Sequence, residues 1–309
     1  MRRRGQVLAR RWRQALARRW RQAARRHAWL EHTACAARRY QAVRADRLAA
    51  ALAYYAFFAV FALTGIAFAV LGWIVRRDLA AIQLAQRWVD RNLPGLDVDE
   101  LVAASGRIGV IALAGLLVAG WYWVDGLRGA VRTVWRLESR PGRFLARLGI
   151  DLLVLLAFGL LLALSVAVAV GVSSAVRWMV VDAAGVEGRP VRWLIAVLGF
   201  VLGIAVNTVL ATALLTGLPR LTMPLRRVLG PALLVAVALE LLKTVGRIYF
   251  ERTEANPAYH AVASAVGLLL FLNLLNQAVL FAAALTATSE RGEAADLANG
   301  GTPATSAPT

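Results

Sequence analysis

Glu240 and Lys243 stand three residues apart inside a stretch otherwise apolar enough to lie in a membrane, and Arg247 follows four residues later. On a helix all three fall along one face. An ionised group at membrane depth costs at least about 2.5–3.5 kcal/mol on insertion scales. Such a triad is therefore expected to meet a partner, water or the path of a substrate. The plainer alternative is that Lys243 and Arg247 reach for the interface while Glu240 pairs with them. Asn207, Asn273, Asn276 and Gln277 add polar side chains within apolar segments. Interhelical hydrogen bonds of about 0.6 kcal/mol are the ordinary use of such groups; lining a polar groove beside Glu240 is the functional one.

A second constellation lies near the N-terminus. Leu8, Trp12, Leu16, Trp20, Ala23, His27 and Leu30 recur at spacings of three and four, with Arg11, Arg18, Arg19 and Arg25 among the arginines around them. A helix of this kind can lie in the membrane interface, its apolar stripe in the acyl boundary and its arginines against anionic lipid. It can equally serve as a topology determinant that holds the arm in the cytoplasm. Specific nucleic-acid recognition is the weakest reading, because basic patches alone are blind to sequence.

Enzymatic chemistry finds no footing. The chain has no phosphate-binding Gly-Lys-Ser/Thr loop, no HExxH, no GxSxG and no acidic cluster suited to two metals. The one cysteine, Cys35, rules out an intramolecular disulfide and any Cys-based metal site, and His27, His32 and His260 are scattered. No cofactor, metal or catalytic residue is expected. These absences argue against an ATP-driven pump or a hydrolase. They leave open a passive or ion-coupled transporter, which needs only a polar path between helices.

The elements that would position these residues follow from hydropathy. The 309 residues are 59% hydrophobic and 17% charged, below the roughly 25% charged of soluble domains, and the mean hydropathy is +0.59. Residues 1–47 carry fifteen Arg against Glu31 and Asp46, which concentrates +13 of the net +18 in one basic amphipathic arm. About 20 apolar residues cross a bilayer. Spans are expected at 48–75, 108–124, 150–176, 193–219, 228–249 and 261–288, an all-α polytopic bundle over 48–288. The fifth is the shortest: only Val228–Leu239 is free of charge, roughly 18 Å of helix, so the span is extended through Glu240 to Tyr249. Gly199-Phe-Val-Leu-Gly203 is a small-residue packing face of the GxxxG kind.

Arginine-rich loops prefer the cytoplasm. Residues 125–149 carry six Arg against two acids and residues 220–227 carry three Arg and none, whereas 76–107 is neutral. Alternation across six spans leaves both termini cytoplasmic. Asp78–Asn92 reads as a short amphipathic helix ended by Pro94-Gly95. The tail, 289–309, is rich in Gly, Ala, Thr and Pro and is expected to be disordered.

Four stretches together resemble the YihY/BrkB family of bacterial inner-membrane proteins. They are Leu48-Ala-Ala-Ala-Leu-Ala-Tyr-Tyr55; Val134-Trp-Arg136 with Arg143-Phe-Leu-Ala-Arg-Leu148; Leu218-Pro-Arg-Leu-Thr-Met-Pro224 leading through Gly230-Pro-Ala-Leu to Glu240 and Tyr249; and Tyr259. The resemblance covers about residues 45–288. Members usually have a proline where this chain has Ala62, and a Gly-Ala-Glu where it has Ala282-Ala-Ala284; the Glu240 position matches. The resemblance implies a six-span protein of the bacterial cytoplasmic (inner) membrane with a role in envelope integrity. Transport of a lipid or solute past Glu240 is the leading expectation, with membrane lipids, anionic at the cytoplasmic face, as partners. A scaffold that holds anionic lipid or a cytoplasmic partner through the Arg-rich arm is the alternative. Some members are labelled ribonuclease, a third reading for which these residues offer no chemistry. Oligomeric state and substrate are not legible.

Overall fold

The computed structural model describes residues 28–75, 98–139, 189–253 and 257–304, with five single positions between 149 and 160. A short helix α1 (Ala28–Ala42) is followed by five long ones: α2 (Ala45–Val75), α3 (Val98–Val134), α4 (Arg189–Thr216), α5 (Leu225–Thr253) and α6 (Pro257–Ala287). Each long helix contains 18 to 29 residues apolar enough to cross a membrane. Their outward faces agree: Ile111, Val209, Leu241 and Val262 are among the many large apolar side chains left exposed. In water each would forfeit about 1.5–3 kcal/mol of burial energy, whereas lipid tails remove that cost. The expected amphipathic helix 78–92 lies outside the described residues, as does the expected third span, 150–176, apart from four helical positions between 153 and 160.

The helices meet most tightly at one end, where the arginines gather. Residues from Val124–Trp135 at the end of α3, Ala211–Leu221, Val228–Val235 of α5 and Val279–Ala287 of α6 form one buried cluster with Ala36, Leu52, Ala294 and Ala304. α2 and α5 start at this basic end; α3, α4 and α6 finish there. α3 and α4 thus run in the same direction.

Small residues let α2 and α3 approach closely. A Cβ on Gly65 would come within 2.8 Å of the Ala112 Cβ, and one on Gly109 within 2.8 Å of the Ala69 Cβ. This reciprocal fit is the small-residue packing typical of membrane helices. Among the described residues the expected GxxxG face shows no such fit: nothing lies within 4 Å of a Cβ at Gly199, and Gly203 faces the Glu240 side chain. Tyr55 of α2 stacks on Tyr122 of α3, with ring centroids 5.4 Å apart.

Three further boundaries differ from expectation. The helix expected over 108–124 runs from Val98 to Val134, because Asp125 and Arg128 pair with each other one turn apart and Arg132 finds buried partners. The arm's last part is not free: α1 packs on α6, where His32 Nε2 donates to the Leu285 carbonyl. Most telling, the tail is folded through Ala304. Leu221–Thr222 (β1), Ala295–Asp296 (β2) and Thr302–Pro303 (β3) make a three-stranded antiparallel sheet in the order β1-β2-β3. Its small residues are what the fit requires. Ala294 and Ala304 are buried, Gly300 and Gly301 take left-handed backbone, and a Cβ on Gly292 would meet Pro224 at 2.7 Å.

The tail is anchored by charge. Asp296, fully buried, receives Arg132 Nη1 at 2.9 Å on one carboxylate oxygen and Arg132 Nη2 at 2.7 Å on the other. Arg132 also donates to the carbonyls of Pro219 and Glu138. Ala298 N–H and the Asn299 side chain complete the carboxylate. The hydrogen bonds from Arg132 outweigh burial and hold the Asp296 carboxyl below its usual range. Its contribution to stability is therefore full above about pH 4, the unfolded value, and is lost as pH falls through the lower folded value. Thermal unfolding in detergent is expected to show this acid loss in the intact chain and a flatter limb in Asp296→Asn. Truncation after Ser289, which strips Arg132 of its counter-charge, is expected to lower the unfolding temperature at neutral pH.

Candidate functional site

Glu240 lies on α5 about 22 Å from the first residue of that helix, at 1.5 Å per residue, and so in the half of the bundle away from the basic end. The segment from Leu225 to Gly246 is long and apolar enough to span, and Glu240 interrupts it on the side facing α4. Asn207 of α4 donates from Nδ2 to Glu240 Oε1 at 2.7 Å. Lys243, one turn further along α5, donates to the same oxygen at 2.6 Å. Among the described residues no other donor reaches the carboxylate. Glu240 is 14% exposed in its side chain and Lys243 45%. The ammonium therefore stands at the mouth of the cluster with the carboxylate behind it.

Gly203 makes the room. A Cβ there would come within 3.0 Å of Glu240 Oε1, so a side chain at residue 203 would crowd the carboxylate where α4 and α5 meet. Gly203 and Asn207 are one turn apart on the same face of α4. Together they form a notch and a donor matched to one acid on the neighbouring helix. Thr208, Thr212 and Thr216 return their hydroxyls to the carbonyls four residues earlier, which spends their hydrogen bonds within α4.

The structure thus brings three of the expected polar residues together: Asn207, Glu240 and Lys243. Arg247 is on α5 one turn beyond Lys243, and its side chain lies outside what is described. The α6 residues are used locally. Gln277 donates to the Asn273 side chain at 3.3 Å, and buried Asn276 donates to the Leu272 carbonyl at 2.8 Å. No hydrogen bond joins them to Glu240. Trp12, Trp20, Arg11, Arg18, Arg19 and Arg25 lie outside the described residues.

Sequence reasoning missed the residues that organise the basic end. Arg132 and Asp296 form the buried pair described above. Arg227, on the first turn of α5, donates from Nε to the Thr286 carbonyl at 2.8 Å and from Nη1 to the Gly292 carbonyl, while its guanidinium lies 5.1 Å from the centre of the Trp135 ring. His32 and Arg227 thereby satisfy two of the last carbonyls of α6, where cations also suit the helix dipole. One signal was readable: Asp125, Arg128 and Arg132 follow at spacings of three and four, the mark of a helix that continues past residue 124.

Comparison with known proteins agrees with this architecture. The family model described as Virulence factor BrkB matches residues 36–305, which takes in the second half of α1 and the folded tail as well as the spans. Inner membrane protein YhjD of Escherichia coli (strain K12) is 24% identical over 278 residues, covering 84% of this chain and 81% of that protein. The uncharacterized protein Dda3937_02003 of Dickeya dadantii (strain 3937) is 28% identical over 263 residues, 79% of each chain. No solved structure matches. With five described helices fit to cross a bilayer and a family match over most of its length, the chain is a multi-pass inner-membrane protein that belongs to the BrkB family.

Proposed function

We propose that the protein moves a lipid or another amphiphile across the inner membrane along the polar groove between α4 and α5, in a role that serves envelope integrity. The observation that carries this reading is the shared Glu240 oxygen, held by Asn207 from one helix and Lys243 from another. A carboxylate in the apolar part of a span is costly. Here the cost is offset by a positioned interhelical donor and a half-exposed ammonium, a pair of opposite charges that a zwitterionic or anionic headgroup can engage in turn. The exposed apolar side chains on the same faces of α4 and α5, Phe200 and Val237 among them, are where acyl chains would travel. The chemistry required is binding and release; no bond is made or broken, and the reading is non-enzymatic.

The same reading sets both chain ends in the cytoplasm. The first described helix and the folded tail meet at the Arg-rich end, and an excess of arginine favours the cytoplasmic side.

Reconstituted into liposomes with labelled phospholipids, the wild-type chain is expected to move label between leaflets. Glu240→Gln is expected to lose at least about tenfold in rate with insertion and yield unchanged. Equal rates in the two proteins would remove the groove from the account. Gly203→Ala supplies a milder probe, since its methyl group crowds Oε1. A partial loss, between wild type and Glu240→Gln, is the expected result, and full activity would show that the notch does not matter.

A further inference from the structure

At the basic end, a cavity of about 520 Å³ opens between α1, the end of α6 and the tail. Its lining carries a net positive charge. Arg38, Arg39, Arg136 and Arg227 face it, against Glu290 and Glu293. Both glutamates are exposed, and no ion pair joins either to these four arginines among the described residues. Arg39 is only 8% exposed, yet its buried Nη1 has no hydrogen-bond partner. Arg227 is fixed in place by the carbonyls of Thr286 and Gly292. A guanidinium left without an acceptor in a buried setting is unfavourable, and its planar fork matches phosphate and carboxylate oxygens.

We propose that this cavity is a binding site for a phosphate-bearing group, with Arg39 and Arg136 as its main ligands and Arg227 as a fixed positive floor. The volume lies within the range of small-molecule sites and exceeds what a bare oxyanion fills, so a headgroup with its phosphate fits the space. Basic pockets between membrane helices are suited to anionic headgroups. Burial, and next the neighbouring Arg136 charge, depress the proton affinity of Arg39; an anion seated between the two would relieve that repulsion. Arg136 also holds a left-handed backbone, φ 58°, as the residue that closes the end of α3, with Leu137 N–H returning to the Arg132 carbonyl. Glycine would occupy that position without strain. What arginine adds there is charge at the cavity.

The site is separate from the Glu240 groove: Arg227 and Glu240 are 13 residues apart on α5, about 20 Å. The proposal stands whether or not Glu240 carries a substrate.

The test uses the full chain in phosphatidylcholine nanodiscs, titrated with inorganic phosphate and with short-chain phosphatidylglycerol while unfolding temperature is followed. The wild type is expected to show a saturable rise. Arg136→Gly removes the charge where glycine suits the backbone, so the protein stays folded; Arg39→Gln removes the buried donor. Both are expected to raise the half-saturating concentration about tenfold or more. A rise with phosphatidylglycerol but not phosphate assigns the ligand to a lipid headgroup, and an equal rise with phosphate assigns it to a soluble phosphate; either supports the site. Absence of saturation in the wild type, or unchanged half-saturation in Arg136→Gly, overturns it, and the second result would place any lipid binding in the N-terminal arm instead.

Discussion

Arg132 carries a full charge near the end of a membrane helix and is entirely enclosed by protein. Nothing in a bundle of apolar spans can accept five guanidinium hydrogens except backbone carbonyls and an acid. The fold supplies both: Pro219 after α4, Glu138 after α3, and Asp296 from the tail. Three chain segments far apart in sequence are thereby tied to one side chain. The small sheet that joins Leu221–Thr222 to Ala295–Asp296 follows from the same arrangement, because it delivers the carboxylate to the guanidinium. A buried pair of this kind need not add much net stability over an apolar substitute, but half of one is strongly unfavourable. The tail is accordingly part of the fold.

From this end the rest of the molecule is positioned. Arg227, seated on Trp135 and on the last carbonyls of α6, fixes where α5 begins. α5 then runs past α4 and presents Glu240 to Asn207 and to the notch at Gly203. α2 and α3 pack on each other through Gly65 and Gly109, and α2 also lies against α6, where Ala53 and Ala56 meet Leu272. One end of the protein is thus closely packed and polar inside, while further along the bundle Glu240, Lys243 and Asn207 form the one charged cluster between helices among the described residues.

What could be read from the sequence divides along physical lines. Spans are legible because lipid demands long apolar runs whatever their neighbours do. Glu240, Lys243 and Asn207 were legible because a polar group in such a run is conspicuous. The notch at Gly203 was not, since a glycine spaced four from another looks the same whether it meets a helix or a carboxylate. The tail was misread because Ala, Gly, Thr and Pro signal disorder by composition. Here Gly292 against Pro224 and buried Ala294 and Ala304 need that same smallness to pack. Asp296 is one acid among several until its partner 164 residues away is known. Arg132 was counted among loop charges because hydropathy ends at Val124, whereas the helix continues by pairing Asp125 with Arg128.

The most direct test of this account is a double-mutant cycle between Arg132→Met and Asp296→Leu, read as unfolding free energy in detergent at neutral pH. Each single substitution leaves a buried charge without its partner and is expected to cost about 3–5 kcal/mol. The double variant is expected to recover most of that loss. Strictly additive losses would contradict the claim that this pair joins the tail to the bundle.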